Sequence, residues 1–535
     1  MIYLNDKSLA DKAAFEKAGI GTPAYDRAAM VAKTKAAPTW LHFGAGNLFR
    51  AFPAKVCDEL LSAGILDKGV IACEGFDYEI IDRIYAPHDN LSLSVTLLAD
   101  GGVETAVVGS VAESIKVDEA GLNRLAEIFC APSMQMVSFT ITEKGYAISR
   151  PDGSIAPAVA SDMSGAPEAA KTFLARLTAL LYKRYNAGKY PLALVSMDNC
   201  SHNGDKLKAA VTAIADAWVK NGFVPAEFLA YLEDETKITF PISMIDKITP
   251  RPDATVAKML ADAGFGDTET VITDKNTYIA PFVNAERPQY LVIEDKFPAG
   301  RPALDKGGII FTERETVDKT EKMKVCTCLN PLHTALAVYG CMLGYTLISA
   351  EMKDKELAAM VDVLGYKEGL PVVVDPGILS PKAFIDEVVG TRLPNPFMPD
   401  APQRIATDTS QKMSIRYGET IKAYIETGRD VTELKAIPLV IAGWCRYLMG
   451  LDDNGESFAI SSDPLLDSLQ PYLANVKLGE VRDFHEDLKP ILSNANIFAV
   501  DLYEAGLGEI VEAYFARLVA GKGAIRKTLQ EVFSA

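Results

Sequence analysis

A short apolar run, Trp40-Leu41-His42-Phe43, breaks directly into Gly44-Ala45-Gly46, and no other feature restricts the fold of this chain as strongly. A glycine turn at a strand end lets the backbone approach a pyrophosphate, and the helix that follows offers free N–H groups and a positive dipole end. That helix is predicted over Leu48 to Leu61, where Phe49, Phe52, Val56 and Leu60 recur at helical spacing. A second apolar run, Val70 to Cys73, ends on Glu74-Gly75. Strand, glycine turn, helix and strand form the first half of a dinucleotide-binding unit. Phe49 stands where a third glycine is usual, so the motif alone also fits a plain strand-to-helix turn. Glu74, 28 residues beyond Gly46, is placed to accept hydrogen bonds from adenosine ribose hydroxyls, with Asp77 as the alternative acceptor. A carboxylate there repels a 2′-phosphate and favours NAD over NADP, although both acids also fit solvated loop positions.

Further strand-like runs are Met136 to Ile141, Leu192 to Met197, Val271-Ile272 and Tyr290 to Ile293, separated by helical stretches at 166–187 and 205–220. After about residue 310 helical periods take over, at 331–349, 354–363, 411–427, 436–450 and 506–533, with a Pro-rich connecting excursion over 366–410. The expected architecture is α/β: a Rossmann-type dinucleotide-binding domain over residues 1–310 with an N-terminal extension, then a mainly α-helical domain over residues 311–535. A net charge of −17 repels phosphate backbones and argues against a nucleic-acid partner. The eight cysteines form no regular framework and read as reduced thiols of a cytoplasmic protein. Leu332 to Ala350 lacks Asp, Glu, Lys and Arg, but with two glycines, two tyrosines and no companion segment it reads as a core helix, not a membrane span.

Oxidising an alcohol by hydride transfer requires a base for the hydroxyl proton, donors for the developing alkoxide, and groups that hold the remaining hydroxyls. Glu321-Lys322-Met323-Lys324-Val325-Cys326-Thr327-Cys328-Leu329-Asn330-Pro331-Leu332-His333 is rich in such groups. Asn330 and His333, three apart, can share a helix face. Pro331 disfavours helical backbone at Asn330, so a helix is predicted to start here with Asn330 as its cap, and His333 also fits a core position. A second polar cluster, Ser196 to Gly204, follows the strand at Leu192, at the sheet edge where α/β active sites lie. Asn203-Gly204 fits a simple turn equally well.

Five ordered motifs resemble the mannitol dehydrogenase family, the polyol-specific long-chain dehydrogenases and reductases. They are Phe43-Gly44-Ala45-Gly46-Asn47-Leu48-Phe49-Arg50, Thr140 to Tyr146, Asp198-Asn199 with Asn203-Gly204, Phe240 to Pro250, and Val292 to Asp295 with Gly300-Arg301-Pro302. The resemblance implies NAD bound by Gly44, Ala45, Gly46, Asn47, Leu48, Phe49, Arg50, Glu74 or Asp77, Thr142 and Glu143. It implies metal-independent catalysis with Lys324 as general base, Asn199 and Asn330 as donors to the substrate oxygen, His333 on a substrate hydroxyl and Glu321 in a proton relay. Asp246, Asn203, Arg404 and Lys412 would bind or support the substrate.

One spacing departs from the pattern. The family usually has four residues between lysine and asparagine, whereas Lys324 and Asn330 have five between them. An extra residue rotates a helical side chain by ~100°, so a local bulge or break before Pro331 is expected. The lysine must also shed its proton, so alcohol oxidation is expected to rise with pH. Family members act on polyols and hexonates. The length of this chain and its Cys328-Leu329-Asn330-Pro331-Leu332-His333 wording are most similar to the branch that interconverts D-mannonate and D-fructuronate. Mannitol- and altronate-acting members are the alternatives, and Arg404, Lys412 and Arg416 could pair with a hexonate carboxylate. Two rival readings are a zinc set of Cys326, Cys328, Cys341 and His333, whose Cys-x-Cys spacing is unusually tight, and a non-catalytic dinucleotide-binding protein.

Overall fold

The structure is a computed structural model and describes residues 1–533. The described residues divide into two compact units, one of residues 1–98 and 102–317, the other of 318–533 with 99–101.

In the first unit, apolar runs bounded by glycine or polar turns become the strands of a six-stranded, all-parallel sheet. Its strands are β1 (Trp40–Phe43), β2 (Val70–Glu74), β3 (Val111–Lys116), β4 (Met136–Phe139), β5 (Leu192–Ser196) and β6 (Ile238–Thr239). They lie in the order β3-β2-β1-β4-β5-β6, the doubly wound arrangement whose switch point falls beside β1. β1, β2, β4 and β5 are buried along their whole length because apolar clusters cover both faces of the sheet. A smaller antiparallel and parallel sheet joins β7 (Ser243–Asp246), β8 (Tyr290–Glu294) and β9 (Ile310–Thr312). A four-stranded sheet of Ile20–Gly21, Val103–Val108, Ser92–Leu97 and Phe282–Glu286 was not foreseen. Its strand Ser92–Leu97 does carry a period-2 signal, with Leu93, Val95 and Leu97 alternating with Ser92, Ser94 and Thr96, although the polar positions are buried too.

The helix expected over Leu48 to Leu61 is two helices, α1 (Asn47–Ala51) and α2 (Pro53–Ser62), broken at Phe52. Pro53 disfavours helical backbone at the residue before it. Two long helices cover the sheet further on, α3 (Phe173–Gly188) and α4 (Asn203–Lys220).

The second unit is helical. Its central element, α5 (Asn330–Leu343), is nearly all buried and packs on α6 (Ala436–Tyr447), where Gly443 admits the ring of Tyr339. No helix among the described residues is long and apolar enough to cross a membrane. The stretch 366–410, expected as a connection, holds the helix Pro381–Glu387 and a short turn at Pro402–Ile405.

Candidate active site

Gly44 is irreplaceable on geometric grounds. Its φ is +101°, and a Cβ there would lie 2.1 Å from the carbonyl oxygen of Thr140. Gly46 behaves differently, since a Cβ on it would meet nothing within 4 Å. Gly46 also caps α1 without a side-chain acceptor, so the first turn of the helix presents its N–H groups to an open face. These features fit a pyrophosphate.

The residues around the turn build it instead of facing outward. Glu74 is buried, and its carboxylate accepts from Ala45 N at 2.9 Å, Phe76 N at 2.9 Å and Asp77 N at 3.2 Å. Burial pushes its carboxyl above the usual range against those bonds. Asp77 is buried as well and accepts from the Thr273 hydroxyl at 2.6 Å. Phe49, expected at the cofactor, is fully buried and stacks on His42 with ring centroids 4.0 Å apart. His42 bridges Ser138 at 2.7 Å and Thr140 at 2.9 Å, and burial lowers its pKa to about 3, so the ring stays neutral. Arg50 turns inward too: its guanidinium donates to Ala280 O at 2.8 Å and to Asn47 Oδ1 at 2.9 Å. The side chains of Phe49 and Arg50 support the turn from inside, and neither reaches the surface, so a cofactor would meet these two residues only through their backbone N–H groups.

Three of the sequence motifs interlock beyond β4 and β5. Asp198 accepts from Ile141 N at 2.8 Å, Thr142 N at 2.9 Å and the Tyr146 hydroxyl at 2.6 Å. It thereby fixes Thr142 in left-handed backbone, φ 65°. Glu143 stays exposed and pairs with Lys206 at 2.5 Å. Asn203, expected at the substrate, is fully buried with its carboxamide engaged: Nδ2 donates to Asp198 O and Ser243, and Oδ1 accepts from Ser243 N at 3.0 Å and Gly204 N at 2.8 Å. It is a tie between loop and β7, and a substrate has no access to it. Gly204 starts a helix and is no turn tip; a Cβ there would lie 2.5 Å from Phe240 O. Asn199 remains exposed in the loop, and Asp246 ends β7 buried.

In the second unit, Lys324 is buried, 4% exposed, and opens a π-helical turn, Lys324–Cys328, that follows the helix Arg314–Met323. Leu329 N donates to Lys324 O at 3.1 Å, the wide i to i+5 closure that accommodates one residue more than an α-turn. The bulge expected from the spacing is therefore present, ahead of Pro331. The start of α5 lies one residue from expectation: Leu329 is the cap and Asn330 the first helical residue, with Pro331 second. The Asn330 carbonyl accepts from Thr334 Oγ1 at 3.0 Å, and the Tyr417 hydroxyl anchors Pro331 O at 2.7 Å. Glu321 is half-buried one turn before Lys324.

His333 lies on α5 with Nε2 buried and without a hydrogen-bond partner, 3.5 Å from Asp400 Oδ2. The other oxygen of Asp400 accepts from Arg404. Burial opposes ionisation of Asp400, but His333 and Arg404 hold its carboxyl below the usual range. Lys412 donates to Thr407 O and to Ile405 O, and burial, then Arg416, lower its pKa. Arg416 is directed at the Thr334 hydroxyl next to His333. No group of three or more His, Cys, Asp or Glu side chains among the described residues converges as metal ligands.

The family model for the mannitol dehydrogenase Rossmann domain matches residues 38–306, and that for the mannitol dehydrogenase C-terminal domain matches residues 316–518. The chain belongs to the mannitol dehydrogenase family. A D-mannonate oxidoreductase of Thermotoga maritima is 51% identical over 99% of this chain and 98% of its own length. A mannitol 2-dehydrogenase of Cereibacter sphaeroides is 30% identical over 81% of this chain and 84% of its own. Among solved structures, the Pseudomonas fluorescens mannitol 2-dehydrogenase ternary complex with NAD and D-mannitol is similar at TM-score 0.69 and 26% identity, covering 99% of both chains.

Asp198, Asn203 and Ser243 tie three of the motifs together: Asp198 accepts from Ile141 N, Asn203 Nδ2 donates to Asp198 O, and Ser243 N donates to Asn203 Oδ1. Sequence reasoning missed Asp400. Its only local signal was a carboxylate shortly before Pro402 and Arg404, while His333 lies 67 residues earlier.

Proposed function

We propose that this mannitol dehydrogenase family member is an NAD-dependent oxidoreductase interconverting a secondary alcohol and a ketone of a hexonate, with D-mannonate and D-fructuronate as its substrate pair. The observation that carries the reading is 51% identity to a D-mannonate oxidoreductase over 99% of the chain. Bound NAD supplies the acceptor, or in reduced form the donor, of the hydride. The turn Gly44-Ala45-Gly46 lets its pyrophosphate approach and the backbone N–H groups of the first turn of α1, Asn47 to Arg50, hold it, with Thr142 and Glu143 beside them.

Lys324 takes the proton from the substrate hydroxyl during oxidation and returns it to the oxygen during reduction. The family resemblance gives the carboxamides of Asn199 and Asn330 the role of donors that stabilise the negative charge on the substrate oxygen. His333 receives a neighbouring hydroxyl; a buried ring nitrogen without a hydrogen-bond partner supports this role. Arg404 and Lys412 favour a substrate with a carboxylate, Asp246 supports the polar network, and Glu321 passes the proton onward. All eight cysteines are free thiols, in keeping with a cytoplasmic enzyme.

The test is NADH-dependent turnover of D-fructuronate, tagaturonate and fructose by the purified chain. The reading expects kcat/KM for fructuronate to exceed the others by at least about 10-fold. A preference for fructose would move the chain to the polyol branch, and turnover of none of them would favour a binding protein.

A further inference from the structure

Asp400 joins the two side chains to which the proposed function gives the substrate, yet it follows neither of them on a helix face. One carboxylate oxygen accepts from Arg404, and the other lies 3.5 Å from His333 Nε2. The Asp400 side chain is 12% exposed, whereas that of Arg404 is 65% exposed. The carboxylate is thus a buried fixture, and the guanidinium it grips reaches into open space. The backbone of Asp400 is itself fixed, its carbonyl accepting from Ile348 N at 2.9 Å. Asp400 leads into the turn Pro402–Ile405 that carries Arg404.

We propose that Asp400 is a positioning residue that makes the enzyme selective for carboxylate-bearing substrates by holding Arg404 and His333 as one unit. A long, exposed arginine samples many rotamers, and each costs affinity when a ligand must freeze it. Gripped by Asp400 through one nitrogen, Arg404 keeps its remaining N–H donors in a fixed fork that suits a second carboxylate. The second oxygen of Asp400, 3.5 Å from His333 Nε2 without a hydrogen bond between them, sets the electrostatic field at the ring that receives the substrate hydroxyl. The groups facing Asp400 are Arg404 and His333, and both favour its ionised form.

This inference rests on the hexonate reading above, and the experiment separates the two. Fructuronate and fructose kinetics are measured with NADH for the wild type, Asp400→Asn, Arg404→Ala and the double variant. Asp400→Glu serves as the conservative rescue, and NADH affinity and thermal unfolding report on folding. The expected result is a KM for fructuronate raised about 10-fold in Asp400→Asn and a KM for fructose raised by a clearly smaller factor, because only fructuronate carries the carboxylate that Arg404 receives. No further rise is expected when Asp400→Asn is added to Arg404→Ala, and Asp400→Glu should recover part of the loss. If wild type prefers fructuronate but Asp400→Asn changes both substrates alike, or neither, the positioning role is overturned and the hexonate reading stands. If wild type prefers fructose, the hexonate reading falls and the carboxylate-selective role falls with it.

Discussion

The glycine-turn edge of the parallel sheet and the helical segment around Lys324 both bury many polar side chains, but they treat them in opposite ways. At the sheet edge the groups complete one another. Glu74 and Asp198 each accept three hydrogen bonds, and Asn203 uses both ends of its carboxamide. In the helical unit, His333 Nε2 and both carboxylate oxygens of Glu351 are buried without a hydrogen-bond partner. A buried polar group left unpaired costs about 1–3 kcal/mol. The sheet edge is therefore largely a finished frame, with the buried Nε of Arg50 as its unpaired exception. The helical unit tolerates unfinished polarity, the condition expected where a substrate completes the set.

The comparison can be broken first at Gly44. Gly44→Ala should destabilise the first unit by about 3 kcal/mol or more and abolish NADH binding, because positive φ and backbone contact act together; a normal unfolding midpoint with intact NADH binding would refute the frame. Asn203→Ala ranks next, expected to lose about 2–4 kcal/mol in chemical denaturation while any surviving folded enzyme keeps its KM. A raised KM without loss of stability would restore Asn203 to the substrate.

Glu351 tests the other side. It presses against Gly340 and, through burial and then Asp354, its pKa rises to about 9. The folded pKa lies above the unfolded one, so its contribution is full below about pH 4.5 and is lost as pH rises through about 9. Wild-type stability should fall by up to about 1.4 kcal/mol per pH unit in that window, and Glu351→Gln should remove the slope. Parallel curves for the two proteins would show that the carboxylate has a partner. The smallest effect belongs to Gly46→Ala: unfolding unchanged within about 0.5 kcal/mol, because its Cβ meets nothing, but NADH affinity reduced.

Much of this was legible in the chain. β1, the glycine turn and β2 announced themselves because buried parallel strands need continuous apolar runs and Gly44 needs positive φ. The bulge at Lys324 was legible only as a spacing one residue too long. The inward turn of Phe49, Arg50 and Asn203 was hidden, since burial depends on partners far along the chain: His42, Ala280 and Ser243. Asp400 was hidden for the same reason.

Lys324 carries the account, and its removal is the most direct test. Lys324→Ala should bind NADH as wild type does, measured by fluorescence titration, and lose turnover of fructuronate by at least about 1,000-fold. Turnover within a few-fold of wild type would contradict the assignment of the proton to this side chain.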